Sequence, residues 1–290
     1  MEHDLDLRLV RYFTVVAEHR HFGRAAESLR IAQPSLSRQI RRLEECVGAR
    51  LLDRTPRGTE LTEAGTAFLP LATALLSDAK AAAARARSVA EPRIITIGFT
   101  AGISVTPAVS ALRRRHPHAE VRTTFLAWHE PREALLEHRV DAAVARLPFA
   151  TDRLQVTVLY DEPRVLLVPL DHCLAGKEMV TLDDIVNEPI PRHHNEEWDA
   201  FWRIDPRPDG RRAPEGPLAE SIEDKLELVA GGQAVGILPA GAAATYIRED
   251  VTTVPLDGVE PCHVVLATRA KDRGELVSAF GVAARGHLRR

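Results

Sequence analysis

The sequence predicts a chain of mixed α/β class in two parts, a helical head and a larger α/β body. Three observations carry that reading. Apolar residues recur at helical spacing as far as about Ala90. From Ile94 onward, short β-rich runs alternate with helical stretches. Charge divides the same way: residues 1–90 hold 14 basic and 11 acidic side chains, net +3, against 24 and 30, net −6, in the remaining 200. A mildly basic head on an acidic body suits an anionic partner at one end only.

The bulk properties narrow the class. With 290 residues, 45% of them hydrophobic, the chain can bury substantial cores in one large or two ordinary domains. No apolar run approaches the ~18 residues of a membrane span. The start has no basic region ahead of an apolar core, so no signal peptide is expected. Cys46, Cys173 and Cys262 are scattered, which argues against a disulfide framework and for a reducing cytoplasm.

Asp4 to His19 reads as a first helix, with Leu5, Leu9, Phe13 and Val16 at near-helical spacing. A second helix runs from about Arg24 to Leu29, and a tight turn covers Arg30 to Gln33. A third starts at Pro34, where proline suits a first turn because its missing N–H would be unpaired there anyway. In it Leu36, Ile40, Leu43 and Val47 make one apolar stripe. The opposite face carries Pro34, Ser35, Ser37, Arg38, Arg41 and Arg42. Small residues near its N-terminus allow close approach to a major groove, and arginine can fork onto guanine O6 and N7. That is the pattern of a helix-turn-helix with a recognition helix from Pro34 to Val47.

An arginine-bearing outer face can equally be a solvated one. The residues after this helix favour the DNA reading. Leu51 to Thr62 reads as a short hairpin with Pro56-Arg57-Gly58 at its tip, a wing with Arg57 at the end and Arg54 on the flank. From Arg20 to Arg57 nine arginines face four acids, a local excess of five positive charges.

At these residues a family resemblance becomes specific. Ala25-Ala-Glu-Ser-Leu29, the run Gln33 to Glu44, Gly48 to Arg54 and Leu61-Thr-Glu-Ala-Gly65 resemble, in order and spacing, the N-terminal signature of LysR-type transcriptional regulators. The likeness is sharp up to about Gly65 and extends over the rest in layout. It implies sequence-specific binding to double-stranded promoter DNA by a dimer of dimers, with RNA polymerase as a further partner. Gln33, Pro34, Ser35, Ser37, Arg38 and Arg41 match the family's groove-reading positions, and Arg54 and Arg57 match its phosphate and minor-groove wing. It also implies a small-molecule effector bound between two lobes of the body; from the absence of nucleotide-binding motifs, no resident cofactor is expected.

After the wing, Thr62 is placed to cap a long helix to about Ala90. Phe68, Ala72, Leu75, Ala79, Ala82, Ala86 and Val89 follow a four-three repeat, and an alanine-rich seam lets two such helices approach closely. We read a dimerisation helix that is also the linker, with a helix packed on its own domain as the alternative. Pro70 predicts a bend near Ala67 to Leu71.

The body starts with a strand at Ile94–Phe99, then a helix at Val105–Arg115, a strand at Ala119–Phe125, a helix at Pro131–His138 and a strand at Asp141–Arg146. Strands follow at Val165–Val168, Pro189–Arg192, Val235–Leu238, Val251–Val254 and His263–Thr268. Helices are expected at Leu182–Val186, Glu197–Trp202, Ile222–Ala230, Ala240–Tyr246 and Glu275–His287. Alternation of this kind predicts a mostly parallel sheet in each of two lobes. Arg203 to Pro217, rich in proline, glycine and charge, reads as an exposed excursion. Two α/β lobes with a cleft resemble a periplasmic-binding-protein fold, as the effector domain of LysR-type regulators does. The expected domains are 1–62, the winged helix-turn-helix; 63–91, the linker helix; and 92–290, the effector domain. Within the last, lobe I spans about 92–162 plus the C-terminal helix, and lobe II about 163–268.

Ligands of open α/β sheets sit beyond the carboxyl ends of strands, near helix N-termini. That rule selects Thr100 and Ser104 after the first strand, Ser104 as a ligand contact or simply a helix cap. Trp128 follows the strand ending at Phe125 and could stack on a ligand or cover the hinge. Arg146 ends an apolar strand, where a ligand anion or an internal salt bridge would hold it. His193 and His194 follow a strand of the other lobe, and Ser221 precedes a helix. Together these suggest a small, acidic or aromatic effector.

Other chemistries find less support. His193, His194, Glu196 and Glu197 match no zinc spacing, so no metal is expected. The glycines from Gly231 to Gly236 precede a strand and cannot form a dinucleotide loop. An enzyme or solute-binding protein on the C-terminal fold is the rival reading, but no acid–base or nucleophile pair supports catalysis.

Overall fold

The computed structural model describes residues 5–55, 58–90, 93–246 and 248–288, and the chain divides into two compact units, Met1–Ala90 and Glu91–Arg290. In the first, helix α1 (Leu7–His19) is capped by Asp6, whose carboxylate accepts from the Arg8 N–H at 2.8 Å. Its expected start at Asp4 lies outside the described residues. Helix α2 (Phe22–Ser28) is capped by the His21 ring, and α3 (Gln33–Val47) has Pro34 in its first turn. Gly48 ends α3 with φ +77°, a left-handed conformation that glycine adopts without strain. Strands β1 (Leu52–Thr55) and β2 (Gly58–Leu61) pair antiparallel.

Helix α4 (Glu63–Ala90) follows, with Thr62 Oγ1 accepting from the Gly65 N–H at 2.9 Å. The helix is continuous through Pro70, where a bend is expected. Pro70 and Thr66 are both exposed, so water can reach the carbonyl that proline leaves unpaired. The core is built from Leu9, Phe13 and Val16 of α1, Leu36, Ile40 and Leu43 of α3, and Ala72 of α4, all fully buried. Truncating one of these leucines to alanine costs about 2–5 kcal/mol in a core of this kind. Beyond Ala72 the seam of α4 opens: Leu75, Ala82 and Ala86 are exposed.

The second unit runs β3 (Ile94–Phe99), α5 (Thr106–Arg115), β4 (Glu120–Phe125), α6 (Pro131–Leu136), β5 (Ala142–Arg146), β6 (Leu154–Glu162) and β7 (Arg164–Pro169). It continues β8 (Ile190–Arg192), α7 (Glu196–Arg203), β9 (Glu215–Leu218), α8 (Ile222–Ala230), β10 (Gly236–Pro239), α9 (Ala240–Tyr246), β11 (Val251–Pro255), β12 (Cys262–Arg269) and α10 (Glu275–His287). One lobe holds a five-stranded sheet in the order β4-β3-β5-β12-β6, the other a three-stranded sheet β10-β7-β11 and a parallel pair β8-β9.

Four expectations need correction. Strand β12, expected in lobe II, pairs with β5 and β6 in the sheet of lobe I. The three-stranded sheet of lobe II is antiparallel throughout, not parallel. Strand β7 is almost wholly buried, and a strand covered on both faces reads as one apolar run whichever way its neighbours point. Leu182–Val186 is a series of turns, fixed at its start by Asp184 accepting from Thr181 N and Oγ1. The stretch from Arg203 to Pro217 is not an exposed excursion, because it contributes β9 and buries Arg203, Arg207 and Ala213.

Candidate functional site

Two places gather unusual chemistry. The first is the outer face of α3. Its apolar stripe faces α1 and α2, so the helix must turn Gln33, Pro34, Arg38, Arg41 and Arg42 to solvent, with Ser35 and Ser37 half-buried. Arg38, Arg41 and Arg42 have no hydrogen-bond or ion-pair partner among the described residues. Glu44, on the same helix, accepts from the Leu51 and Leu52 N–H groups at 2.8 and 3.2 Å, which fixes the base of the β1–β2 hairpin to α3. That acid is therefore committed to backbone and does not neutralise the arginine face. The expected wing residue Arg57 lies outside the described residues, and for Arg54 the structure describes the strand but not the side chain.

The second place is a cavity of about 260 Å³ between the lobes of the C-terminal unit. The loop after β3 supplies Thr100, and the loop after β4 supplies Trp128. From the other lobe come His193, Trp198, Trp202, Ser221 and Lys225. Gly102 lets the two lobes meet below it: with φ +67°, it has Ala242 so close that a Cβ would lie 2.4 Å from the Ala242 Cα. Trp128 and Trp198 stack across the cleft with ring centroids 4.5 Å apart and planes 19° apart, and Trp202 stands 5.5 Å from Trp198. All three tryptophans of the chain line this one cavity.

The polar groups around it are few and buried. Arg146 donates from Nε to Glu162 at 2.7 Å and from Nη1 to the Ala101 carbonyl at 2.5 Å, while its buried Nη2 has no partner. Glu162 also accepts from the Gly241 N–H at 2.7 Å, so one carboxylate ties β5 of lobe I to the start of α9 in lobe II. The His193 ring meets the Ala219 carbonyl with Nδ1 at 3.0 Å, which puts the proton on Nδ1 and leaves buried Nε2 as an unpaired acceptor. Burial first, then the Lys225 ammonium, pushes its pKa down to about 4, so the ring is neutral at pH 7. Lys225 is buried, donates to the Ile237 carbonyl at 3.4 Å and stands 6.0 Å from the Trp202 ring centroid, and has its pKa pushed down to about 8 by desolvation. A cation held there without a carboxylate within ion-pair distance is the least compensated charge of the site.

Of the seven residues selected from sequence, Thr100, Trp128, Arg146, His193 and Ser221 line the cavity. Ser104 does not: it is exposed, borders a separate depression, and does not cap α5, whose cap residue is Val105. His194 also stays outside the cavity, in the bend after β8, exposed and 3.5 Å from Glu220. The Ser221 hydroxyl is occupied in a capping box with Asp224. Sequence reasoning missed Lys225, Trp198 and Trp202. The available signal was that tryptophan occurs at only three positions, two of them four residues apart on one helix face. Among the described residues no group of three or more His, Cys, Asp or Glu could hold a metal ion, and no helix is long and apolar enough to cross a membrane.

Residues 7–66 match the bacterial regulatory helix-turn-helix protein, lysR family, and residues 90–289 match the LysR substrate binding domain. The uncharacterized HTH-type transcriptional regulator YnfL of Escherichia coli is 39% identical over 193 residues, 64% of this chain and 65% of that protein, just under two thirds of its length. The HTH-type transcriptional regulator AlsR of Bacillus subtilis is 30% identical over 95% of this chain and 94% of its own. The crystal structure of CbnR, a LysR family transcriptional regulator, shares the fold with a TM-score of 0.64 at 22% identity, covering 99% of this chain and 100% of that one.

Proposed function

The chain belongs to the LysR family of transcriptional regulators, and on that premise we propose which of its residues read DNA and which receive the controlling ligand. Helix α3 enters the major groove of double-stranded promoter DNA. Gln33, Pro34, Ser35 and Ser37 allow close approach and contact the backbone, and Arg38 and Arg41 reach base edges. Arg54 and Arg57 of the wing hold phosphates and the minor groove. The observation that supports this reading best is the set of three exposed arginines on α3, none with an acidic partner among the described residues. On a surface where most charges could be paired, such a face is ready to release counterions from DNA.

The inter-lobe cavity takes a small, acidic or aromatic effector, held by Thr100, Trp128, Arg146 and His193 with the Ser221 helix start at its rim. The exposed alanine seam of α4 pairs two chains, two such dimers form the tetramer, and the protein works in the cytoplasm, where RNA polymerase is a further partner. Effector binding then shifts an equilibrium between two assembled shapes, which requires that the ligand bind one of them more tightly. The test is a pair of binding isotherms, parent and Arg38→Ala, on the DNA upstream of the protein's own gene. We expect the variant to lose site-specific binding while keeping its melting temperature. An unchanged isotherm would overturn the assignment of α3.

A further inference from the structure

Four residues that line the inter-lobe cavity carry polar atoms that, among the described residues, lack what their chemistry requires. Arg146 Nη2 and Trp202 Nε1 are buried donors with no partner, and His193 Nε2 is a buried acceptor with none. Lys225 Nζ is a buried cation with one long bond to a carbonyl. Buried polar groups are satisfied in the great majority of cases, so four shortfalls around one cavity point to a missing partner of defined polarity. Three of the four are donors, one charged and uncompensated, and the fourth is an acceptor.

We propose that the cavity binds a planar monoanion that also carries a hydrogen-bond donor, of the class of hydroxy- or amino-substituted aromatic monocarboxylates; this rests on the effector reading of the cavity. The carboxylate oxygens accept from Lys225 Nζ, Arg146 Nη2 and Trp202 Nε1. The ligand's hydroxyl or aromatic amine donates to His193 Nε2, whose own proton is held by the Ala219 carbonyl. One negative charge is enough, because Glu162 already balances Arg146 and only Lys225 is left over. Glu220 and Glu223 at the rim oppose a second carboxylate there. An aliphatic amino acid is disfavoured, since its ammonium would stand beside two buried cations. The remaining wall is aromatic, with Trp128, Trp198, Phe125 and Tyr246, and offers flat faces to a ring. A cavity of about 260 Å³ is just below the roughly 300–1,000 Å³ range of drug-sized sites, which suits a single substituted ring.

The test is calorimetric titration of the full-length protein with para- and meta-hydroxybenzoate and aminobenzoate, against benzoate (no donor), benzamide (no charge) and phenol (no anion). Tryptophan fluorescence serves as a second readout where the probe does not itself emit, because every tryptophan lines the cavity. We expect a hydroxylated or aminated acid to bind tightest. Losing the donor should weaken binding roughly tenfold, and losing the charge roughly ten- to a hundredfold. Lys225→Met should erase the preference for benzoate over benzamide, and His193→Phe the preference for hydroxybenzoate over benzoate. Lys225→Met should melt no lower than the parent because it removes a buried charge.

Equal affinity for charged and uncharged probes, or no gain from the donor, would overturn the proposed class. So would a footprint on promoter DNA that changes with an aliphatic diacid, a neutral or a cationic compound while the aromatic acids fail to bind. That last result would leave the effector reading standing. If no compound of any class bound, and none altered the footprint, both readings would fall.

Discussion

On α3, Arg38, Arg41 and Arg42 are exposed and lack an acidic partner among the described residues. In the C-terminal unit, by contrast, Arg146 and Arg203 are 5% and 2% exposed and are held by carboxylates. The same side chain is handled in opposite ways. A guanidinium in water costs little to leave unpaired and remains available to a phosphate or a guanine edge. A buried one must be surrounded: Arg203 reaches Asp199 at 3.0 Å, Asp205 at 3.6 Å and the Ala213 carbonyl at 2.7 Å. Lys225, like Arg164 and Arg207, is buried without an ion-paired carboxylate among the described residues, but of these three it is the one that lines the ligand cavity. Charges that fold the chain are thus distinct from charges that wait for a partner.

Replacing Arg203 tests the folding side and should have the largest effect. Arg203→Met removes the buried partner of Asp199 and Asp205, leaving Asp199 the His193 N–H and Asp205 the exposed Arg212 and the Ala213 N–H, and breaking a buried pair of this kind costs up to about 3–5 kcal/mol. Chemical denaturation should show that loss in the C-terminal transition. A loss no larger than that of an exposed arginine would erase the distinction drawn between the two regions. The matching change on α3, Arg38→Ala, should leave stability within about 0.5 kcal/mol of the parent. It should instead cost about 1–3 kcal/mol of discrimination between cognate and scrambled DNA, enough to remove site-specific binding.

A third effect depends on pH. Lys225 has its pKa pushed down to about 8, so its charge is lost as pH rises through that value, with His193 neutral there and the Asp199 carboxylate opposing the shift. Affinity for an anionic ligand should be constant between about pH 6 and pH 8 and then fall by roughly tenfold per unit, as measured by calorimetry. Lys225→Met should flatten the profile. For stability the sign of His193 is fixed by its depressed pKa. The unfolded chain binds more protons between pH 6.5 and about 4, so the contribution of this ring is full above 6.5 and is lost as pH falls towards 4. The smallest effect belongs to the wing. Arg57→Ala should weaken binding to all DNA alike and lower the slope of log affinity against log salt by about 1.

The head was legible in sequence because its signals are local. Four-three spacing placed α1 and α3, proline marked the first turn of α3, and Pro56-Arg57-Gly58 marked the hairpin between β1 and β2. The closing helix of the body was read at its observed bounds, Glu275–His287, for the same reason. What failed depended on partners far along the chain. Strand β6 alternates polar and apolar residues from Leu154, but nothing local pairs it with β12, the strand it draws back into lobe I. Strand β7 gave its buried character and hid its direction. At the cavity, Arg146 and His193 were found because charged or titratable residues after apolar strands stand out. Lys225 was not, because Ile222-Glu-Asp-Lys-Leu-Glu reads as the solvated face of an amphipathic helix. Only tertiary packing turns that lysine inward, against Trp202.

The most direct test of the α3 assignment is binding of the purified full-length protein to the DNA upstream of its own gene, at two salt concentrations, with scrambled DNA of equal length as control. If α3 reads DNA, binding is tight, salt-dependent and strongly selective for the upstream sequence, and the selectivity is lost in Arg38→Ala. Equal, weak binding to both DNAs would contradict that assignment and reduce the α3 face to a patch of solvated arginines.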